Sequence, residues 1–204
     1  MWSNSESFQV WVERTHQQLT SGAPAVVPCG DCTACCRSHQ FIHVNENEAA
    51  YQAIAKDLLV PAPGATGQYL LGHTAAGECP LLGDGRCTIY PDRPHTCRTY
   101  DCRIFAASGV FPDRTQPQIA QRARAWQFDY ADDHDKAMHH GVKNAATFLL
   151  HHQQRIFPTQ VNEVQLSLSA RKVRAYFSPG QIRDYDPARE SARRLAQVRA
   201  ALQP

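Results

Sequence analysis

No run of apolar residues in this 204-residue chain approaches the length that crosses a bilayer. The N-terminus, Met1-Trp2-Ser3-Asn4-Ser5-Glu6, lacks the basic start, apolar middle and small-residue cleavage site of a secretory signal. An excess of one charge sign is missing too. With 21 basic and 19 acidic residues the formal charge is +2, so no global field recruits nucleic acid or a membrane surface. There is no Gly-rich phosphate loop, nucleophile elbow or HExxH pair, which leaves nucleotide-hydrolysing, serine-hydrolase and zincin readings unsupported. Internal repeats and low-complexity segments are also absent. The expectation is a soluble, cytoplasmic globular protein with no membrane partner; nucleic acid is not expected as a partner either.

Cysteine, by contrast, is abundant. Of the eight residues, four lie in Cys29-Gly30-Asp31-Cys32-Thr33-Ala34-Cys35-Cys36, a C-x2-C-x2-C-C run; the others are Cys79, Cys87, Cys97 and Cys102. Disulfides do not persist in a reducing compartment, so this usage favours metal ligation over a covalent framework. Thiolates recurring every third residue let a turn aim several sulfurs at one point, as zinc or an iron-sulfur cluster requires. Four thiolates satisfy either, and eight could serve one site or two. Adjacent residues on an extended backbone project to opposite sides, so Cys36 is expected either in a second site or as a small buried hydrophobe.

An all-thiolate centre is anionic and needs cations nearby. Arg37, Arg86, Arg93, Arg98 and Arg103 all fall within a few residues of a cysteine and are candidates for that role. Asp31, Asp84, Asp92 and Asp101 read as turn residues. Among ten histidines, His39, His43 and His95 lie close enough in sequence to join a mixed Cys/His site. His139 and His140, as helix neighbours, do not face the same ion.

Along the chain, Phe8, Trp11, Val12 and Leu19 predict an amphipathic helix over 5–20, stopped at Ser21-Gly22. Asn45 with Glu48 predicts a capped helix whose buried face is Ala50, Tyr51, Ile54 and Leu58, ended by Pro61 and Pro63. A strand is expected over 69–74. Gly83-Asp84-Gly85 predicts a small hairpin that brings Cys79 and Cys87 near each other on paired strands. Helices are expected over 117–130 and from Asp132 or Asp133 toward Ile156, with Gly141 as a potential break. Residues 161–177 stay ambiguous between strand and helix. Asp186-Pro187 opens a last helix containing Leu195, Val198 and Leu202, with Arg189, Arg193, Arg194 and Arg199 opposite.

The cysteine run, together with Cys79-Pro80-Leu81, Cys87-Thr88-Ile89-Tyr90, Arg93-Pro94, Cys97-Arg98 and Cys102, resembles the YkgJ-like cysteine-cluster family of zinc- or iron-chelating proteins. The resemblance implies metal binding by all eight cysteines. Flagellin lysine N-methylases look like distant relatives, which raises S-adenosylmethionine-dependent protein N-methylation as an alternative activity. A zinc-stabilised interaction module gripping an acidic partner through Arg189 to Arg199 is a further alternative. The partner itself, protein or small molecule, is unspecified, and whether the chain is an enzyme stays open. The expected architecture is mainly α with a small β-hairpin: an irregular, metal-organised single domain. It would comprise an N-terminal helix and lead-in (1–28), the cysteine-cluster metal-binding region (29–102) and a helical region packed on it (103–204).

Overall fold

The computed structural model describes residues 5–21, 27, 31–39, 42–177 and 192–203. In chain order the elements begin with β1 (Ser5–Ser7), α1 (Phe8–Ser21), β2 (Ile42–Asn45), α2 (Ala49–Ala53), β3 (Leu59–Pro61) and β4 (Gln68–Leu71). There follow β5 (Leu82–Gly83), β6 (Arg86–Cys87), α3 (His95–Thr99), α4 (Arg103–Ser108) and α5 (Pro117–Arg124). The chain finishes with β7 (Gln127–Asp129), α6 (Asp133–His151), α7 (Gln153–Ile156), α8 (Glu163–Val173) and α9 (Ala192–Leu202). The fold is mainly helical with small sheets, as expected. Among the described residues, no helix is long and apolar enough to cross a membrane.

Contacts divide the chain into two compact units. The first takes the described residues of Glu13–Asp101 and Asp113–Arg122. At its centre is an antiparallel sheet in the order β2-β4-β3, with Ile42 opposite Leu71 and Leu59 also opposite Leu71. Alternation puts Ile42 and Val44 on one face of β2, where they join Ala50, Ile54, Leu59 and Leu71 in one buried cluster. Cys79, Leu81, Ile89 and Cys97 pack against that cluster, which ties two of the cysteine segments to the apolar face of the sheet.

The α2 helix is shorter than the sequence suggests. Asn45 and Glu48 do close a turn: the Glu48 side chain accepts from the Asn45 N–H at 3.0 Å, and the Asn45 side chain accepts from the Asn47 N–H at 2.8 Å. The helix starts only at Ala49 and stops at Ala53, because β3 draws the following chain into the sheet before Pro61 is reached. Ala50 and Ile54 are buried as expected. The β5–β6 hairpin forms around Asp84-Gly85, both at positive φ (49° and 73°), the requirement of a tight two-residue turn.

The second unit takes the described residues of Asn4–Val12, Cys102–Pro112 and Ala123–Pro204. Here α8 packs against α4, α6 and α9, burying Phe105, Val142, Phe148, Leu149, Leu166, Ala170 and Val173. Asp132 caps α6, its side chain accepting from the Asp135 N–H at 2.8 Å. The helix then runs unbroken through Gly141, which is buried. Residues 163–173 resolve as helix, because Asn162 and Gln165 form a reciprocal capping box and Leu166, Ala170 and Val173 recur at helical spacing. The expected 117–130 helix ends at Arg124, and the chain then pairs as β7 in parallel with β1, register Glu6 to Phe128. The same pairing explains why residues 5–7, expected in the first helix, are extended. Phe8 and Trp11 then pack with Phe128 and His139, and Phe8 stacks on the His139 ring at 4.3 Å. The Asp186-Pro187 opening and Arg189 lie outside the described residues.

Candidate metal centre

Three separate segments of the first unit carry thiols toward one another. Cys36 sits in a short 3₁₀ turn, Cys35–Arg37, whose chain is joined to Cys79 when the Cys79 N–H donates to the Cys36 carbonyl at 2.6 Å. Cys79 stands just before β5, in the turn closed by Leu82 N–H to Cys79 O at 3.0 Å, and Cys87 is on β6 opposite Leu82. The expectation of both residues on paired strands is therefore corrected: only Cys87 is on a strand, because the two-residue turn leaves the ladder too short to reach Cys79. Cys97 comes from α3. That helix is anchored by Glu48, whose Oε2 accepts from the His95 N–H at 2.5 Å and lies 3.9 Å from Arg98 Nη2. Thr96 donates its hydroxyl to the His43 carbonyl at 3.0 Å.

The Cys36 thiol acts on the ionisation of Cys79, Cys87 and Cys97. Burial pushes the Cys97 thiol up to about 12, helped by the charges of Cys36, Cys79 and Cys87, while Arg93 pulls the other way. Burial also raises Cys79 and Cys87, and Cys36 adds to both. Cys36 is raised by hydrogen bonding to the neighbouring Cys35 thiol, then by burial and the Cys35 charge, with Arg37 opposing. Two backbone contacts favour the ionised form: the Leu81 N–H donates to the Cys79 sulfur and the Ile89 N–H to the Cys87 sulfur. The two Cys-x-apolar turns thus repeat one device, an N–H two residues ahead directed at a sulfur.

Cys32 and Cys35 occupy the loop before and at the 3₁₀ turn, Cys35 exposed. Cys29 lies outside the described residues. Cys102 belongs to the second unit, where it forms the N-cap of α4.

The arginines divide by role. Arg93 lies 4.1 Å over the Tyr90 ring, donates to the Tyr90 carbonyl at 3.0 Å and faces Cys87 and Cys97 electrostatically. Arg37 acts on Cys36 while paired with Glu78 and donating to Thr33 Oγ1 at 3.2 Å. Arg98 goes to Glu48, and Arg86 is exposed on β6. Arg103 departs most from expectation: it is 1% exposed in the second unit and paired at 2.5 Å with Glu6. It serves that core, and the sequence held no signal for it beyond the single Glu6. Of the histidines, His43 is exposed on β2 and His95 opens α3, whereas His139 is a packed core residue.

A family model named CxxCxxCC, described as "Putative zinc- or iron-chelating domain", matches residues 28–133. The chain belongs to this family. The matched span includes all eight cysteines. No curated protein and no solved structure gives a match.

The donor chemistry of this CxxCxxCC chain fits its family's zinc or iron. Burial and the charge of Cys36 raise the thiols of Cys79, Cys87 and Cys97, a conflict that a cation removes, and two of them already receive backbone N–H groups. Among the described residues, no three His, Cys, Asp or Glu side chains form a group placed to hold a metal ion.

Proposed function

We propose that the chain chelates one zinc- or iron-containing centre through the thiolates of Cys36, Cys79, Cys87 and Cys97. The observation that carries this reading is that thiols from three segments lie close enough for Cys36, Cys79 and Cys87 to act on Cys97, with Cys79 and Cys97 packed on the apolar face of one small sheet. A bound cation supplies the positive charge that ionises the thiols and cross-links the segments. The chain's own residues do the rest. Leu81 and Ile89 offer N–H groups to two sulfurs, Arg93 and Arg37 offset negative charge, and Glu48 fixes the helix that bears Cys97. Free thiols of this number suit a reducing compartment such as the cytoplasm.

The test is elemental analysis for zinc, iron and acid-labile sulfide on anaerobically purified protein, with Cys79→Ser, Cys87→Ser and Cys97→Ser compared with Cys32→Ser. The three inner variants should lose most of the metal while the Cys32 variant keeps it. Sulfide with brown absorbance identifies an iron-sulfur centre; colourless zinc identifies a single ion. A folded chain that binds neither metal refutes the reading.

A further inference from the structure

Two imidazoles stand beside the thiol set in the first unit. The rings of His39 and His73 meet edge to face, centroids 5.2 Å apart and planes at 71°. Both residues are exposed. Two imidazoles sharing a tetrahedral ion, with nitrogens at about 2.0–2.1 Å from it, place their centroids roughly 5 Å apart.

The local backbone is built around this pair. His39 holds a left-handed φ of 52°, uncommon for a residue other than glycine. Its N–H donates to the Gly77 carbonyl at 3.0 Å. Gly77 itself is at φ 79°, and a Cβ there would collide with the His39 imidazole, so the ring lies directly on the glycine backbone. His73 Nδ1 is 3.2 Å from the Thr74 carbonyl. A carbonyl only accepts, so Nδ1 carries the proton and the lone pair is on Nε2, the tautomer arrangement typical of metal-ligating histidines. The pair is also connected to the thiols: His39 lies three residues after Cys36, and Gly77 two residues before Cys79, whose N–H bonds the Cys36 carbonyl.

We propose that His39 and His73 form a receiving site for a divalent borderline cation, zinc or ferrous iron, which passes the ion to the thiols. The inference rests on the four-thiol reading above. Both imidazoles are exposed whereas the four inner thiols are half-buried, so an ion arriving from solvent meets the pair first.

The test is stopped-flow loading of metal-free full-length protein with Co²⁺, following thiolate-to-cobalt absorbance, in wild type, His73→Gln and His39→Asn/His73→Gln. NMR of the imidazole protons during Zn²⁺ titration reports on the pair directly. The expected result is the same final absorbance in all three proteins. Loading should be at least tenfold slower in the variants, and both wild-type imidazoles should shift at substoichiometric Zn²⁺. His73→Gln changes an exposed side chain, so it remains informative if the His39 variant misfolds. Equal loading rates, or unshifted imidazoles, overturn the proposal. Lower final absorbance in the variants also overturns it, by making the histidines ligands of the inner centre. Absence of thiolate absorbance in every protein refutes the four-thiol centre instead, and is separable because the imidazole shifts are read independently.

Discussion

Acidification should weaken the second unit through one buried residue, His139. It is 3% exposed, stacked on Phe8 at 4.3 Å, and it shares a 2.7 Å hydrogen bond between Nδ1 and the Tyr130 hydroxyl. Burial lowers its pKa to about 4, assisted by the charge of Lys143 and opposed by the carbonyls of Ala106 and Ala107. An unfolded histidine takes up its proton near pH 6.5. Between these values the unfolded chain binds the proton and the folded chain does not, so stability falls as pH drops from about 6.5 to 4 and this contribution then levels off. At about 1.4 kcal/mol per unit the full loss is about 3 kcal/mol, or roughly 6–12 °C of melting temperature for a chain of this length.

His139→Phe isolates the effect. At pH 7 the variant should be about 1 kcal/mol less stable than wild type, because the Tyr130 hydroxyl loses its partner and turns to water. At pH 4 the order should reverse, the variant being more stable by about 2 kcal/mol, since it carries no group to protonate. Urea unfolding of both proteins at half-unit pH steps, followed by circular dichroism, reads the difference with the other titrating groups cancelled. A difference between the two proteins that stays constant from pH 7 to pH 4 refutes the reasoning.

Other substitutions probe other elements. Arg103→Met leaves the Glu6 carboxylate without its buried guanidinium and should cost about 3 kcal/mol in urea unfolding, with part recovered when Glu6→Met is added. Glu48→Ala removes the acceptor for the Asn45 and His95 N–H groups; it should cost about 1–3 kcal/mol and speed metal loss to a chelator, while the conservative Glu48→Gln restores part of both. Gly85→Val forces a branched side chain to φ 73° and should destabilise the hairpin by about 1–2 kcal/mol or more, visible as earlier loss of hydrogen-exchange protection at Thr88, whose N–H donates to the Leu81 carbonyl.

Local chemistry made much of this legible in advance. The Asp84-Gly85 turn, the Asp132 cap and the buried positions Phe8, Trp11, Ala50, Ile54, Leu195 and Val198 follow from turn residues and periodicity, and the structure has them. What failed was non-local. Residues 5–7 and 127–129 pair across 122 positions of register offset, Ser5 to Gln127, and no local propensity reports such a partner. The same holds for β3, which cuts α2 short, and for Arg103, whose proximity to Cys102 in sequence suggested a role that its pairing with Glu6 replaces. In 164–168 the alternation of Val164, Leu166 and Leu168 competed with a helical period, and the capping box at Asn162 decided for the helix. For the thiols, spacing indicated metal chemistry, but the grouping of Cys36 with Cys79, Cys87 and Cys97 depends on the backbone bond between residues 36 and 79.

That bond also sets a timetable. The β5–β6 hairpin closes over two residues and can form as soon as it is synthesised, whereas joining Cys36 to Cys79 means closing a much longer loop. On the ribosome the early cysteines therefore emerge and wait, unassembled, until the hairpin and α3 have followed them out. Under the four-thiol centre proposed above, a chain arrested before Cys97 has only part of its donor set, so metal uptake would come late in this unit's synthesis.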